Sequence, residues 1–287
     1  MRLPQSDLNP RSAAIIAALA SDRADRYIQE VLLPNLQHAA RTETMEIEAL
    51  RTALSNPFRC LQAFFAHYAF SRRGKDKDEL ASMAVIALRR ITDEESFPKL
   101  LEEADGNRLW EAFCQVCQER RRKNSEQLNR GLLAGMLELA QEVNALEQGD
   151  SIIGWIVRGA RATDRIEAQF LRIVDIRGVG PKTTSTFLRD VAFLFELEAR
   201  IDPLDRLYIQ PVDRWLRLAA QVIVPELDET KSVDWVIAGK LAKYSRIAGV
   251  SGIRFNMGAS YFGTREVREA DRYPLAMEDL IQSLGKG

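Results

Sequence analysis

Apolar residues recur three and four positions apart along nearly the whole 287-residue chain, and runs that alternate as a half-buried strand must are sparse. That periodicity predicts an all-α fold. Residues 11–56 read as helices: Ala13, Ile16, Ala17 and Leu19 are followed by Tyr27, Val31 and Leu32, then by Met45, Ile47 and Leu50. Pro34 bends or splits the second of these. Asn56-Pro57 resets the backbone, because a residue before proline is pushed out of the helical region. Residues 57–70 are apolar nearly all round and are expected to be buried. Further helices are expected over 79–104, 110–123, 125–147, 213–222, 233–248, from 251 onward and over 274–284. Gln148-Gly-Asp-Ser151 is the clearest break.

Size and composition exclude several classes. The chain is long enough to bury a sizeable core, and with 46% hydrophobic and 28% charged residues its composition favours neither a disordered nor a membrane protein. No apolar run approaches a bilayer span and Met1-Arg-Leu-Pro-Gln-Ser6 lacks a signal-peptide core, so a cytoplasmic location is expected. Three cysteines fit a reduced compartment. Cys114-x-x-Cys117 offers two ligands with no second pair. Cys60, His38 and His67 lie in other helices without metal-site spacing, so reduced thiols, structural histidines and no bound metal are expected. Net charge is −1. Residues 1–150 carry 20 basic and 23 acidic side chains and residues 151–287 carry 20 and 18, so any grip on a polyanion must come from a local patch.

The chain is organised around Ile173-Val-Asp-Ile-Arg-Gly-Val-Gly-Pro-Lys-Thr-Thr-Ser-Thr-Phe187. It reads as a helix end, a tight Gly-Val-Gly elbow and the start of a second helix. Gly178 and Gly180 are free to take backbone angles closed to other residues, and Pro181 suits a first helical turn. Ile166, Phe170, Ile173 and Val174 before the elbow, and Phe187, Leu188, Val191 and Leu194 after it, give two apolar faces that can close on each other. The N–H groups of such an elbow, at a helix N-terminus, suit an anion such as a phosphate.

The run Ile176-Arg-Gly-Val-Gly-Pro-Lys-Thr-Thr184 resembles the helix-hairpin-helix DNA-binding motif. It is similar in particular to the version in the DNA glycosylase superfamily of endonuclease III and the 8-oxoguanine glycosylases. The resemblance makes Lys182, two residues after the second elbow glycine, the nucleophilic lysine, and Asp213 in Gln210-Pro-Val-Asp-Arg-Trp-Leu-Arg-Leu218 the later catalytic aspartate. It makes Arg177, Gly178, Val179, Gly180 and Thr183 the DNA contacts. It implies two helical lobes flanking a cleft, divided as N-terminal helices over 1–56, a core over 57–223 opening on Pro57-Phe58, and helices over 224–287 that pack back on the N-terminal lobe. Relatives with an iron–sulfur cluster carry four cysteines after the aspartate helix; none follows Cys117 here, so no cofactor is expected. Lys182 and Asp213 are 31 positions apart, longer than in most endonuclease III relatives, similar to the archaeal 8-oxoguanine glycosylase branch. The extra length requires a long helix after the elbow or an inserted loop at Arg200–Tyr208. Asp202 and Asp205 lie in that loop and compete for the role; the Pro-Val-Asp context favours Asp213.

The chemistry follows from the residue types. Cleaving an N-glycosidic bond builds positive charge on the sugar, which a carboxylate stabilises. A neutral amine can then add to C1′ and form a Schiff base that permits β-elimination. A damaged base must leave the stack and enter a pocket, for which Tyr208, Trp215, Phe255, Tyr261 and Phe262 are the aromatic candidates, each also suited to the core. The expected activity is a base-excision-repair glycosylase with abasic-site lyase activity, acting as a monomer on double-stranded DNA with an oxidised base or an abasic site. Two plainer readings stand beside it. Lys182 can simply neutralise a phosphate in a non-catalytic DNA-binding protein, and Asp213 can simply cap a helix. The chain can also be a helical interaction protein. Arg120 to Lys123 complement a helix C-terminus, and Ser71-Arg-Arg-Gly-Lys-Asp-Lys77 is a solvated or DNA-facing loop.

Overall fold

The computed structural model describes residues 8–70, 74–103, 106–224, 227 and 232–284. These residues are helical with short turns, and no strand occurs among them. Residues 71–73 of the charged loop fall outside the described set. The chain forms two compact units, one of residues Met1–Leu32 with Glu198–Gly287 and the other of Leu33–Leu197. The divisions therefore fall at 32/33 and 197/198, where the sequence reading put boundaries at 56 and 223. The physical reason is partner choice: residues 33–56 bury their apolar faces with the central helices, while 198–223 bury theirs with the chain's two ends.

In the continuous unit, Asn56 caps the helix Pro57–Ala63 by accepting from the Arg59 amide at 3.0 Å, with Pro57 in the first turn. The helix runs on as a wider turn over Phe64–Tyr68, and Phe64, Phe65 and Tyr68 are buried as the all-round apolar pattern requires. Phe64 meets Phe187 edge-to-face at 5.1 Å, tying this segment to the helix Pro181–Leu194. The helix expected over 110–123 is Gly106–Glu119 and stops short of its basic cluster. Arg122, just beyond the helix end, pairs with Glu79 of another helix at 2.7 Å.

In the discontinuous unit, the N-terminal helix Pro10–Ala18 packs with Arg214–Ile223, Asp234–Ile247 and Tyr273–Leu284, while Gly252–Tyr261 packs on the segments that follow it, Leu19–Arg23 and Ala24–Tyr27. Ile15, Ile16, Leu19, Leu216, Leu241, Phe255 and Met277 make its core. Gly258 lies so close to Leu19 that a Cβ there would meet the Leu19 carbonyl oxygen at 1.8 Å. Glu198 fastens the start of Gly252–Tyr261 by accepting from the Gly252 and Ile253 amides at 2.6 and 3.2 Å.

Candidate functional site

The elbow belongs to the continuous unit. The helix Glu167–Val174 ends, Ile176 and Val179 turn inward with only 4% of each exposed, and the helix Pro181–Leu194 begins with Gly180 as its cap. Gly178 takes φ +93°, where a side chain is strained, and a Cβ there would meet the Leu128 carbonyl at 2.7 Å. Gly180 does not need its freedom: φ −103° and ψ 170° suit any residue. Below the elbow runs the helix Glu126–Leu146. A Cβ on its Gly131 would fall 2.8 Å from the Arg177 side chain, and one on Gly135 2.6 Å from Ile176. The two glycines, four apart on one helical face, form the notch into which Ile176-Arg177 settles. The sequence reading overlooked this notch, although Gly131-Leu-Leu-Ala-Gly135 carried the spacing.

With Ile176 and Val179 anchored, Arg177, Gly178 and Lys182 face solvent. The first amide of the helical ladder is that of Thr184, which donates to Gly180 at 3.0 Å, so the Lys182 amide lies ahead of it at the positive end of the helix. Three of the expected DNA contacts differ. Val179 spends its amide inside the elbow, donating to Ile176 at 2.9 Å, and Thr183 is only 3% exposed. Both hold the elbow's shape and offer little outward. Gly180 is buried as well, which leaves Arg177 and Gly178 exposed among the expected contacts, with Lys182 beside them.

Asp213 belongs to the other unit. Its backbone is extended and its Oδ1 accepts from the Leu216 amide at 2.8 Å, making it the N-cap of Arg214–Ile223. Asn256, 3% exposed, donates to Gln210 Oε1 at 3.1 Å and to the Pro211 carbonyl at 3.3 Å, clamping the segment that leads to the aspartate. Neither Asn256 nor Gln210 was singled out in the sequence, since an isolated amide in a helix pattern carries no signal. Tyr273 is 1% exposed, and its pKa is pushed up by burial first and by the nearby Asp213 charge second. Of the rivals, Asp202 accepts from the Leu204 amide at 2.8 Å within a turn and Asp205 is 1% exposed.

The aromatic candidates separate by burial. Phe255 has no exposed surface and is a core residue, so it is not free to stack on a base. Tyr261 and Phe262 are buried too, and the Tyr261 hydroxyl donates to Glu30 at 2.8 Å. Tyr208 and Trp215 are half-buried. Trp215 stacks on Tyr273 with centroids 5.9 Å apart, carries the Arg214 guanidinium 5.4 Å from its own ring, and packs against Gly263. All three cysteines are free, and no cluster suited to a metal occurs among the described residues. No helix among the described residues is long and apolar enough to cross a membrane. No family model, curated protein or solved structure matches this chain.

Proposed function

We propose that the chain is a DNA glycosylase with associated abasic-site lyase activity, built on a helix-hairpin-helix motif with two lobes flanking a cleft. One observation carries the reading. An elbow anchored by Ile176 and Val179 and shaped by Gly178 holds Lys182 out to solvent on the first turn of a helix. A phosphate backbone gripped there by the positive helix end and Arg177 brings a sugar within reach of the lysine. The reading requires Asp213 to serve that same sugar: one of its oxygens is committed to the cap, and the other is left to stabilise developing positive charge. Bound DNA must supply the desolvation that leaves the lysine amine neutral and nucleophilic. An oxidised base is the proposed target, the site is cytoplasmic, and the working form is a monomer.

Borohydride trapping on duplex DNA with an abasic site tests this. A covalent adduct is expected from the wild-type chain and not from Lys182→Ala. Absence of any wild-type adduct, or its persistence in Lys182→Ala, sinks the enzyme reading. A second reading is favoured by the cap itself, since Asp213 has a complete structural role without catalysis. In that case the chain binds duplex DNA with a steep salt dependence, weakened in Lys182→Ala, and leaves both base and strand intact.

A further inference from the structure

Far along the chain from the elbow, the continuous unit contains a groove of about 600 Å³ lined by both of the chain's histidines, His38 and His67, and by Arg41, Lys77 and Arg89. We infer that this groove is a binding site for a small phosphomonoester, of the size of a mononucleotide or sugar phosphate. Its central cation is Arg89. The Arg89 Nε and Nη2 donate to Gln62 Oε1 at 3.0 and 2.6 Å, and Gln62, 3% exposed, is itself fastened by donating to the Ala39 carbonyl at 2.6 Å. The guanidinium is thus oriented by a neutral amide, which leaves its charge uncompensated by that contact. Neighbouring arginines are treated differently: Arg59 is matched by Glu94, Arg90 by Glu119 and Arg122 by Glu79.

Arg41 follows directly on the helix Leu33–Ala40 at φ +54°, the left-handed position where a helix end usually takes glycine. An arginine held there puts a second cation at the rim. Lys77, opening the helix Lys77–Ile91, is the third. Among the described lining residues Asp78 is the one carboxylate beside the three cations, and the surplus matches a dianion. Phe70, Val85 and Ile86 give the groove an apolar wall for the organic part of the ligand. Burial lowers the His67 pKa, with the nearby Asp190 opposing.

The site stands on its own residues and does not depend on the glycosylase reading. Titration calorimetry on the full-length chain at low salt, with inorganic phosphate, adenosine monophosphate, ribose 5-phosphate and adenosine as separate probes, tests it. The phosphate-bearing probes are expected to bind saturably and adenosine not at all. Comparing ribose 5-phosphate with adenosine monophosphate tells a sugar phosphate from a nucleotide. Arg89→Met should weaken binding by about tenfold or more, as loss of a charge-assisted contact does. Arg41→Ala and Lys77→Ala, both at exposed positions, should each weaken it with an unchanged circular dichroism spectrum, which keeps the test sound if Arg89→Met misfolds. No saturable binding by any phosphate probe, equal binding of adenosine, or affinity unchanged in both Arg41→Ala and Lys77→Ala overturns the assignment.

Discussion

Gly178 shows how one residue type can be required at a position while its neighbour two places on is not. At φ +93°, with the Leu128 carbonyl 2.7 Å from where a Cβ would sit, Gly178→Ala should cost about 1–3 kcal/mol. Gly180→Ala, at φ −103°, should cost well under half as much. Urea denaturation of the two variants checks the difference; equal losses would show that the elbow is not built this way. Asp213 separates fold from function in the same manner. Asp213→Ala removes a cap and should cost about 1 kcal/mol, whereas Asp213→Asn keeps a side-chain acceptor and should melt near wild type. If the carboxylate is catalytic, Asp213→Asn is nevertheless expected to lose base excision. Buried thiols give a third residue-level prediction. Burial pushes Cys60 from 9.0 up to about 12 and Cys117 from 9.0 up to about 11. Folded-state values above the unfolded one mean that the unfolded chain loses its protons first. Stability should hold below pH 9 and fall above it, until about pH 11 for Cys117 and about pH 12 for Cys60. Alkaline denaturation of Cys60→Ala, with a shallower fall than wild type, would bear this out; an identical fall would not.

Among the elements, the helix Glu126–Leu146 is the one on which the elbow rests. Gly131 and Gly135 let the Ile176-Arg177 turn approach its backbone, and Gly135→Leu should overpack the contact by about 1–3 kcal/mol. The same variant should weaken DNA binding if the elbow is the duplex-gripping element, measurable by thermal melting and by a salt-controlled binding titration. A melting point unchanged by Gly135→Leu would show that the notch is not a contact. Helix existence was legible throughout the sequence because apolar periodicity and Pro or Asn-Pro boundaries are local signals. Asn56-Pro57 and Ser251 marked true helix starts, each capping with its own side chain. Helix ends were less legible: Gly106–Glu119 stops before the basic cluster, where Arg121 takes the left-handed φ of +52° that ends a helix.

For the molecule as a whole, the discontinuous unit makes a demand that the continuous one does not. Ile15, Ile16 and Leu19 are completely buried in a core shared with helices from beyond residue 213. A fragment of residues 33–197 should therefore fold alone, with cooperative melting, while residues 198–287 should not until a peptide of residues 1–32 is added. Circular dichroism of the two fragments, separate and supplemented, would decide it, and independent folding of 198–287 would contradict the shared core. The sequence by itself determined the helical class and the elbow with its glycine, because each rests on spacing and backbone preference within a few residues; the chemistry asked for a desolvated Lys182, and the structure leaves it exposed. Only the tertiary structure decided that Phe255 is core, that Val179 spends its amide inside the turn, and that residues 1–32 join the C-terminal helices. It also decided that His38, His67, Arg41, Lys77 and Arg89 share one groove. Those facts depend on which faces meet across many residues, and packing between distant segments leaves no periodic trace in the chain.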